Sequence, residues 1–241
     1  MMKKKKVSII ILNYNGKKYI EECITSVKKQ DYPNFEIIVV DNMSTDGSCE
    51  MCDQMKDILY FKTDKNLGFA GGNNFGVQFA TGDYIALLNN DTKVDKKWLS
   101  ELVKALESDE KIGIVMSKIY NKYGASEYQF DGYGTSTLMQ YFAWNKKIDK
   151  DTLELVDTFY AGGCSLIYKK ELIDLPFDDD YFLYSEDVYL SWYTRLKGLT
   201  IKVAPKSLVW HEGGAASKNI GNLIAYYGER NRIMNILCFK I

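Results

Sequence analysis

The chain has 241 residues, enough to bury a full α/β core as one large domain or as one domain with an appended lobe. Its 31 basic and 32 acidic side chains leave a formal net charge of -1, which argues against a surface built to neutralise many nucleic-acid phosphates. No run of eighteen apolar residues occurs, which excludes a spanning helix, and the odd set Cys23, Cys49, Cys52, Cys164 and Cys238 supplies no disulfide framework. Cys49 and Cys52 have CxxC spacing, but no second pair or neighbouring histidine completes a zinc site. Reduced thiols and the lack of a signal peptide are expected of a cytosolic or cytosol-facing protein. The run Lys3–Lys6 reads either as a solvated lead-in to the first strand or as weak attraction to anionic lipid.

In chain order, Val7–Leu12 is a nearly unbroken apolar run, as expected of a strand covered on both faces. Tyr19–Lys29 carries Ile20, Cys23, Ile24 and Val27 at helical spacing. Glu36–Val40 is a second strand, and the turn-rich Asp41–Ser48 ends in a helix-start signal. Ile58–Lys62 is a third strand, Gly72–Ala80 a helix of small residues, and Tyr84–Leu88 a fourth strand. Trp98, Leu99, Leu102, Val103 and Leu106 mark an amphipathic helix before the strand Ile112–Val115. These β-α units predict a mostly parallel central sheet flanked by helices. Beyond about Ser117 the period is lost over the Gly- and Tyr-rich Tyr120–Tyr141. Gly162–Tyr168 and Thr200–Ala204 then read as strands, and Glu186–Lys197 and Asn219–Leu237 as helices. With no repeat or low-complexity linker, residues 1–241 are expected to form a single domain.

Several segments could carry chemistry. Asp41 and Asp91 each follow a buried strand, where groups face the ligand crevice of an open parallel sheet. Asp91, after Asn89 and Asn90, has the hard oxygen chemistry for a divalent cation shared with phosphate, or it caps the following helix, a task Asp95 could also perform. Asp41 could accept from a ribose hydroxyl or a pyrimidine imide N–H, or it could close the Asn42–Gly47 turn. Asn66–Asn74 joins a strand to a helix, and its glycines either let backbone amides approach an anion or permit close helix-sheet packing. Glu186 and Asp187 open a helix directly after the aromatic run Tyr181–Tyr184, which could give a sugar ring an apolar face. Such neighbouring carboxylates can divide labour, one receiving a proton from a nucleophilic hydroxyl while the other orients it. They are also common in a helix's first turn for purely electrostatic reasons. His211, the only histidine, precedes Glu212-Gly213-Gly214 and could ligate the same cation or contact a diphosphate; a half-buried structural role is the alternative. Arg230 is a phosphate candidate on the last helix. Tyr141 and Trp144 could touch an acceptor or pack locally.

Taken in order, Val7–Gly16, Ile38–Ser48, Asn66–Asn74, Leu88–Thr92, Glu186-Asp187 and His211–Gly214 resemble the family 2 glycosyltransferases of GT-A fold, in their rhamnosyltransferase-like branch. The resemblance covers nearly the whole chain. It implies an α/β nucleotide-diphospho-sugar transferase fold, with residues 1–116 as the nucleotide-sugar-binding half and 117–241 as the acceptor-binding and catalytic half. It implies inverting transfer of a sugar, rhamnose among the candidates, from a UDP- or dTDP-linked donor to a hydroxyl of a glycan or lipid-linked acceptor. It further implies a divalent cation, Mn²⁺ or Mg²⁺, and a role in cell-surface polysaccharide biosynthesis. By the same similarity Asp187 would be the catalytic base, with Glu186 beside it. Asn13, Asn15, Asp41, Asn66, Gly71, Asn73, Asn90 and Arg230 would bind the nucleotide-sugar, and Asp91 and His211 the metal. Asn89 stands where the family's first metal-binding aspartate would be.

Two other classes compete with this reading. A sugar nucleotidyltransferase should show a Gly-rich triphosphate loop near the first strand, for which Asn13–Lys18 is a poor substitute. A non-catalytic nucleotide-sugar or glycan-binding domain would keep Asp41 but have no need of Asp187. For the last helix three roles stay open: packing on the domain, a homodimer contact, or peripheral contact with the cytoplasmic face of a membrane.

Overall fold

A computed structural model describes residues 4–121, 128–130, 152–162, 164–212 and 221–239. The first half alternates strand and helix as its pattern predicts: β1 (Val7–Asn13), α1 (Ile20–Lys28), β2 (Phe35–Asp41), α2 (Ser48–Asp53), β3 (Leu59–Lys62), α3 (Gly68–Val77), β4 (Tyr84–Asn89), a short β5 (Thr92–Val94) and α4 (Trp98–Leu106). There follow β6 (Ile112–Asn121), β7 (Tyr128–Phe130), β8 (Val156–Thr158), β9 (Ser165–Lys169), α5 (Glu186–Leu196), β10 (Thr200–His211) and α6 (Gly221–Phe239). Tyr141 and Trp144 lie outside the described residues.

One sheet runs in the order β3-β2-β1-β4-β9-β6-β10-β5, with β7 beside β6 and β8 beside β10. The parallel expectation holds for β3, β2, β1 and β4. In the second half β9 runs antiparallel to both β4 and β6, whereas β10 is parallel to β6. The sheet is thus mixed, with helices against it. Val7, Ile9, Ile10 and Ile11 are wholly buried, as are Ile38, Val39 and Val40, which is why their runs lack a polar alternation. The register sets Asn13 beside Asp41 and Leu12 beside Asn89, so the carboxyl ends of β1, β2 and β4 meet at one edge.

The two halves are joined by a polar cluster under α4. Buried Trp98 donates Nε1–H to Ser117 Oγ at 3.0 Å and Ser165 Oγ at 2.8 Å, and Ser207 Oγ donates to the Trp98 carbonyl at 3.0 Å. The serines also bond one another, so four elements share a satisfied network, the arrangement that makes buried polar groups tolerable. Next to it, β10 shifts register between Ala204 and Leu208, a break that accommodates Pro205.

Helix α3 begins at Gly68, four residues ahead of the expected Gly72. The glycines serve packing: a Cβ on Gly72 would stand 2.5 Å from Leu12, and one on Gly76 2.6 Å from Ile10. Along α6, Asn231 and Asn235 are fully buried while Leu223, Tyr226, Ile233 and Leu237 are exposed. Among the described residues no helix is long and apolar enough to cross a membrane, and all five cysteines are free thiols.

Candidate active site

At the end of β1, Asn13 is fully buried and acts as a hub. Its Nδ2 donates to Asp41 Oδ2 at 3.0 Å, Ser44 Oγ at 3.2 Å and Ser48 Oγ at 2.8 Å. Its Oδ1 accepts from Asn90 Nδ2 at 2.8 Å. Gly16 makes that crossing possible, since a Cβ there would stand 2.0 Å from Asn90 Nδ2. Asp41 is also fully buried, and its Oδ1 accepts the Ser44 N–H at 2.9 Å, so it does close its own turn. Asn15, at φ +51°, accepts the Thr45 N–H at 2.8 Å and ties the β1 loop to the β2 loop. Asn42 is a further member of the site that the sequence pattern does not mark. It donates to Asn66 Oδ1 and the Gly68 carbonyl, both at 3.0 Å, and accepts the Leu67 N–H at 2.8 Å. Nothing but its place after Asp41 could have flagged it.

The Asn66–Asn74 loop departs from its anion-binding expectation. The first amides of α3 are committed within the protein: Phe69 N–H donates to the Phe182 carbonyl at 2.5 Å and Ala70 N–H to the same oxygen at 3.4 Å. Asn66 Oδ1 also accepts the Gly68 N–H at 2.8 Å, and Asn73 Nδ2 donates to the Phe69 carbonyl at 2.8 Å. A Cβ on Gly71 would contact Leu67 at 3.1 Å and Asp179 at 3.8 Å. This loop therefore builds a wall, because helix-end donors that already hold a protein carbonyl do not face an open anion site.

Asn90 and Asp91 form the turn from β4 to β5. The helix-cap alternative for Asp91 fails, since Asp95 Oδ1 accepts the Lys97 N–H at 2.8 Å before α4. Asp91 is only 7% exposed, and His211 Nε2 stands 3.1 Å from its Oδ1. Pairing of β10 with β5 creates this contact by setting His211 opposite Thr92, while Glu212 N–H donates to the Asp91 carbonyl at 3.0 Å. A cavity of about 160 Å³ opens beside Asp91, bounded by Lys18, Thr92, Trp210 and Glu212. Among the described residues no group of three or more His, Cys, Asp or Glu side chains gathers at one point. One carboxylate and one imidazole fit a cation that takes its other ligands from water and a diphosphate, the usual pattern where Mg²⁺ or Mn²⁺ meets phosphate.

Glu186 and Asp187 open α5 after a turn in which Phe182, Tyr184 and Ser185 all have positive φ, at 37°, 66° and 62°. Glu186 is buried and its Oε2 has no hydrogen-bond partner. Burial, followed by the adjacent Asp187 charge, pushes its carboxyl well above the ordinary range. Burial also raises Asp187, against the opposing hydrogen bonds from the Tyr160 hydroxyl and the Val188 N–H. A carboxylate of raised pKa is a stronger base than a solvated one. Tyr160 carries no sequence signal for this role. Ser191 Oγ supports the pair from below, donating to the Asp187 carbonyl at 2.6 Å and accepting the Ala161 N–H at 2.8 Å.

The aromatic run before Glu186 is largely committed to α6 rather than open to a sugar ring. Tyr181 is buried, its hydroxyl donating to Asn235 Oδ1 at 2.7 Å, and Phe182 stacks on Tyr227 at 5.1 Å between centroids. Arg230 donates Nη2–H to the Asp180 carbonyl at 2.9 Å and lies over the Tyr227 ring, which uses one of its five N–H groups within the protein. The structure thus brings Asn13, Asn15, Asp41, Asn90, Asp91 and His211 into one connected set. Asn42 donates to the Gly68 carbonyl and Phe182 packs against Gly68, so the turn that leads to Glu186 and Asp187 borders this set.

A profile described as Glycosyl transferase family 2 matches residues 8–175, which span the β1–β4 crevice and its neighbours. The chain belongs to this family. It is 33% identical over 133 residues to glycosyltransferase GlyG of Streptococcus pneumoniae, across 54% of this chain and 44% of the relative. It is 26% identical over 210 residues to poly-beta-1,6-N-acetyl-D-glucosamine synthase of Staphylococcus aureus, across 85% of this chain and 49% of the relative. The chain therefore spans about half the length of these curated relatives. Among solved structures, S. aureus TarS in complex with UDP superposes with a TM-score of 0.61 at 22% identity, over 85% of this chain and 60% of that one. GalNAc-T7 with UDP, GalNAc and Mn²⁺ gives a TM-score of 0.69 at 16% identity, over 86% and 44%. At such identities these structures establish the GT-A-type fold of this family 2 chain.

Proposed function

We propose that this family 2 domain is a metal-assisted inverting glycosyltransferase that moves a sugar from a nucleoside diphosphate to a hydroxyl of a glycan or lipid-linked saccharide. The observation that carries the reading is the Glu186–Asp187 pair, Glu186 buried and Asp187 partly exposed, held at a helix start after a turn in which Phe182 touches Gly68 beside the β1–β2–β4 edge.

In this reading Asn13, Asn15, Asp41 and Asn90 frame the nucleotide pocket, Asn66, Gly71 and Asn73 hold its wall, and residues 1–116 are the donor half; the hydrogen bonds among these side chains support it. Asp91 and His211 would hold the cation, whose charge, when bound, offsets the negative charge growing on the departing diphosphate. Asp187 accepts the acceptor hydroxyl's proton as that oxygen attacks the anomeric carbon. The bond to the diphosphate breaks on the opposite face, which inverts the centre. Burial pushes the Glu186 carboxyl well above its ordinary range, which favours its uncharged form beside the base. Residues 117–241 supply this acceptor half.

The names of the relatives make N-acetylhexosamine donors the first to test, with rhamnose linked to UDP or dTDP next. Polysaccharide synthesis at the cytoplasmic face of a membrane fits the same reading. Calorimetric titration with UDP, with and without Mn²⁺, tests it: affinity rises at least tenfold with the metal, and Asp91→Asn removes that gain. Failure of both UDP and dTDP to bind in either condition overturns the assignment.

A further inference from the structure

We propose that α6 is a clamp that fixes the direction of the Glu186–Asp187 pair, with Asn231 and Asn235 as its positioning residues. The inference rests on the reading of Asp187 as base.

Six consecutive carbonyls, those of residues 180–185, are each held by a donor from outside their turn. Asp180 is held by Arg230 Nη2 at 2.9 Å. Tyr181, Leu183 and Tyr184 share the single amide of Asn231, at 3.0, 2.9 and 2.7 Å. Phe182 takes the Phe69 and Ala70 N–H groups of α3, and Ser185 takes Asn235 Nδ2 at 3.2 Å. Five of the six are therefore held from α6. The segment needs such support because Phe182, Tyr184 and Ser185 sit at positive φ, a conformation that L residues disfavour and that persists only where the surroundings impose it. Glu186 and Asp187 follow with no residue between, so the turn's conformation sets where both carboxyls lie.

The chemistry of the clamp is specific to amides. Asn231 faces three acceptors with two N–H protons, so at least one proton is shared and its oxygen cannot take the nitrogen's place. Asn235 is oriented by the Tyr181 hydroxyl, which donates to Oδ1 and leaves Nδ2 toward Ser185. Both asparagines are fully buried one helical turn apart. If α6 merely covered the core, apolar side chains at these positions would do so without the cost of burying amides.

The test compares Asn231→Leu and Asn231→Asp with the parental chain. The first removes the donors at similar volume; the second sets a carboxylate against three carbonyl oxygens. Amide hydrogen exchange is read at Phe182–Val188 and at β1 and β2, the Asp187 carboxyl is titrated by ¹³C NMR, and UDP affinity is measured. Both variants should lose at least tenfold protection in Phe182–Val188 alone, with Asp187 titrating closer to its ordinary value and UDP affinity within twofold. On any UDP-sugar the parental protein turns over, kcat should fall at least tenfold with donor KM within threefold. Unchanged protection and titration, or equal loss of protection in β1 and β2, overturns the proposal. Activity unaffected by Asp187→Asn would instead overturn the base assignment, while the exchange result would still decide whether α6 fixes the turn.

Discussion

Gly68→Ala puts the link between the donor wall and the Glu186–Asp187 turn under direct strain. Gly68 has φ +71°, where an alanine costs about 1–2 kcal/mol. Its new Cβ would stand 2.2 Å from the Phe182 carbonyl oxygen and 2.6 Å from Phe182 Cδ2. The oxygen is backbone and cannot rotate aside, so the Phe182 peptide must move and weaken its bond to the Phe69 N–H. Losing one such buried bond adds about 1 kcal/mol, for a total of about 2–3 kcal/mol. For a domain of this size each kcal/mol lowers Tm by about 2–4 °C, so the expected fall is roughly 4–12 °C. Urea unfolding measures the free energy, and Gly198→Ala is the control, since Gly198 shares the positive φ, at +75°, but a Cβ there meets nothing within 4 Å. The substitution should also depress turnover beyond its effect on stability, because Phe182 leads into Glu186. A Gly68→Ala protein with parental unfolding free energy and parental turnover would refute the close approach and the coupling built on it.

Two further outcomes concern pH. Glu186 titrates above its ordinary value, so the folded state holds its proton more tightly than the unfolded chain and stability falls as pH rises above about 4.3 toward the raised folded value. Glu186→Gln removes that fall, and the Tm of the variant relative to the parent should grow as pH rises above about 4.3; a shrinking difference would contradict the direction of the shift. Glu36 behaves oppositely: burial pushes it up, but hydrogen bonds from Lys6, Ser8 and Thr81 outweigh that and hold it below its ordinary value. Its stabilisation is present above about pH 4.3 and lost as pH falls through the folded value, so Glu36→Gln should cost about 1–3 kcal/mol at neutral pH and flatten the acid limb of unfolding. An acid limb identical to the parent's would show that Glu36 contributes nothing there.

What could be read from sequence was whatever local pattern controls. The apolar runs of β1, β2 and β4 fix buried parallel strands, and the carboxylates after them stand at the expected sheet edge. The spacing of Ile20, Cys23, Ile24 and Val27 gave the buried face of α1. Local pattern misleads where a long-range contact overrides it. Asn66–Gly72 has the composition of a loop, yet Gly68 starts a helix because the Phe182 carbonyl supplies an acceptor for its first amides and Leu12 leaves no room for a side chain at Gly72. β5 and β9 are short and antiparallel, and their pairing with β10 and β4 has no periodic signal. The clamp residues Asn231 and Asn235 are invisible for the same reason: their acceptors lie 47–50 residues away.

The role of Asp187 is tested most directly by single-turnover transfer from a bound UDP-sugar, comparing the parental chain with Asp187→Asn at matched donor saturation. Amide for carboxylate keeps the Val188 N–H acceptor and the side-chain volume but removes the base. Donor affinity within twofold of the parent, with the transfer rate reduced by about 10²–10⁴, is the result that general-base catalysis requires. Transfer at the parental rate, with the nucleotide bound equally well, would place the proton acceptor elsewhere and contradict the assignment.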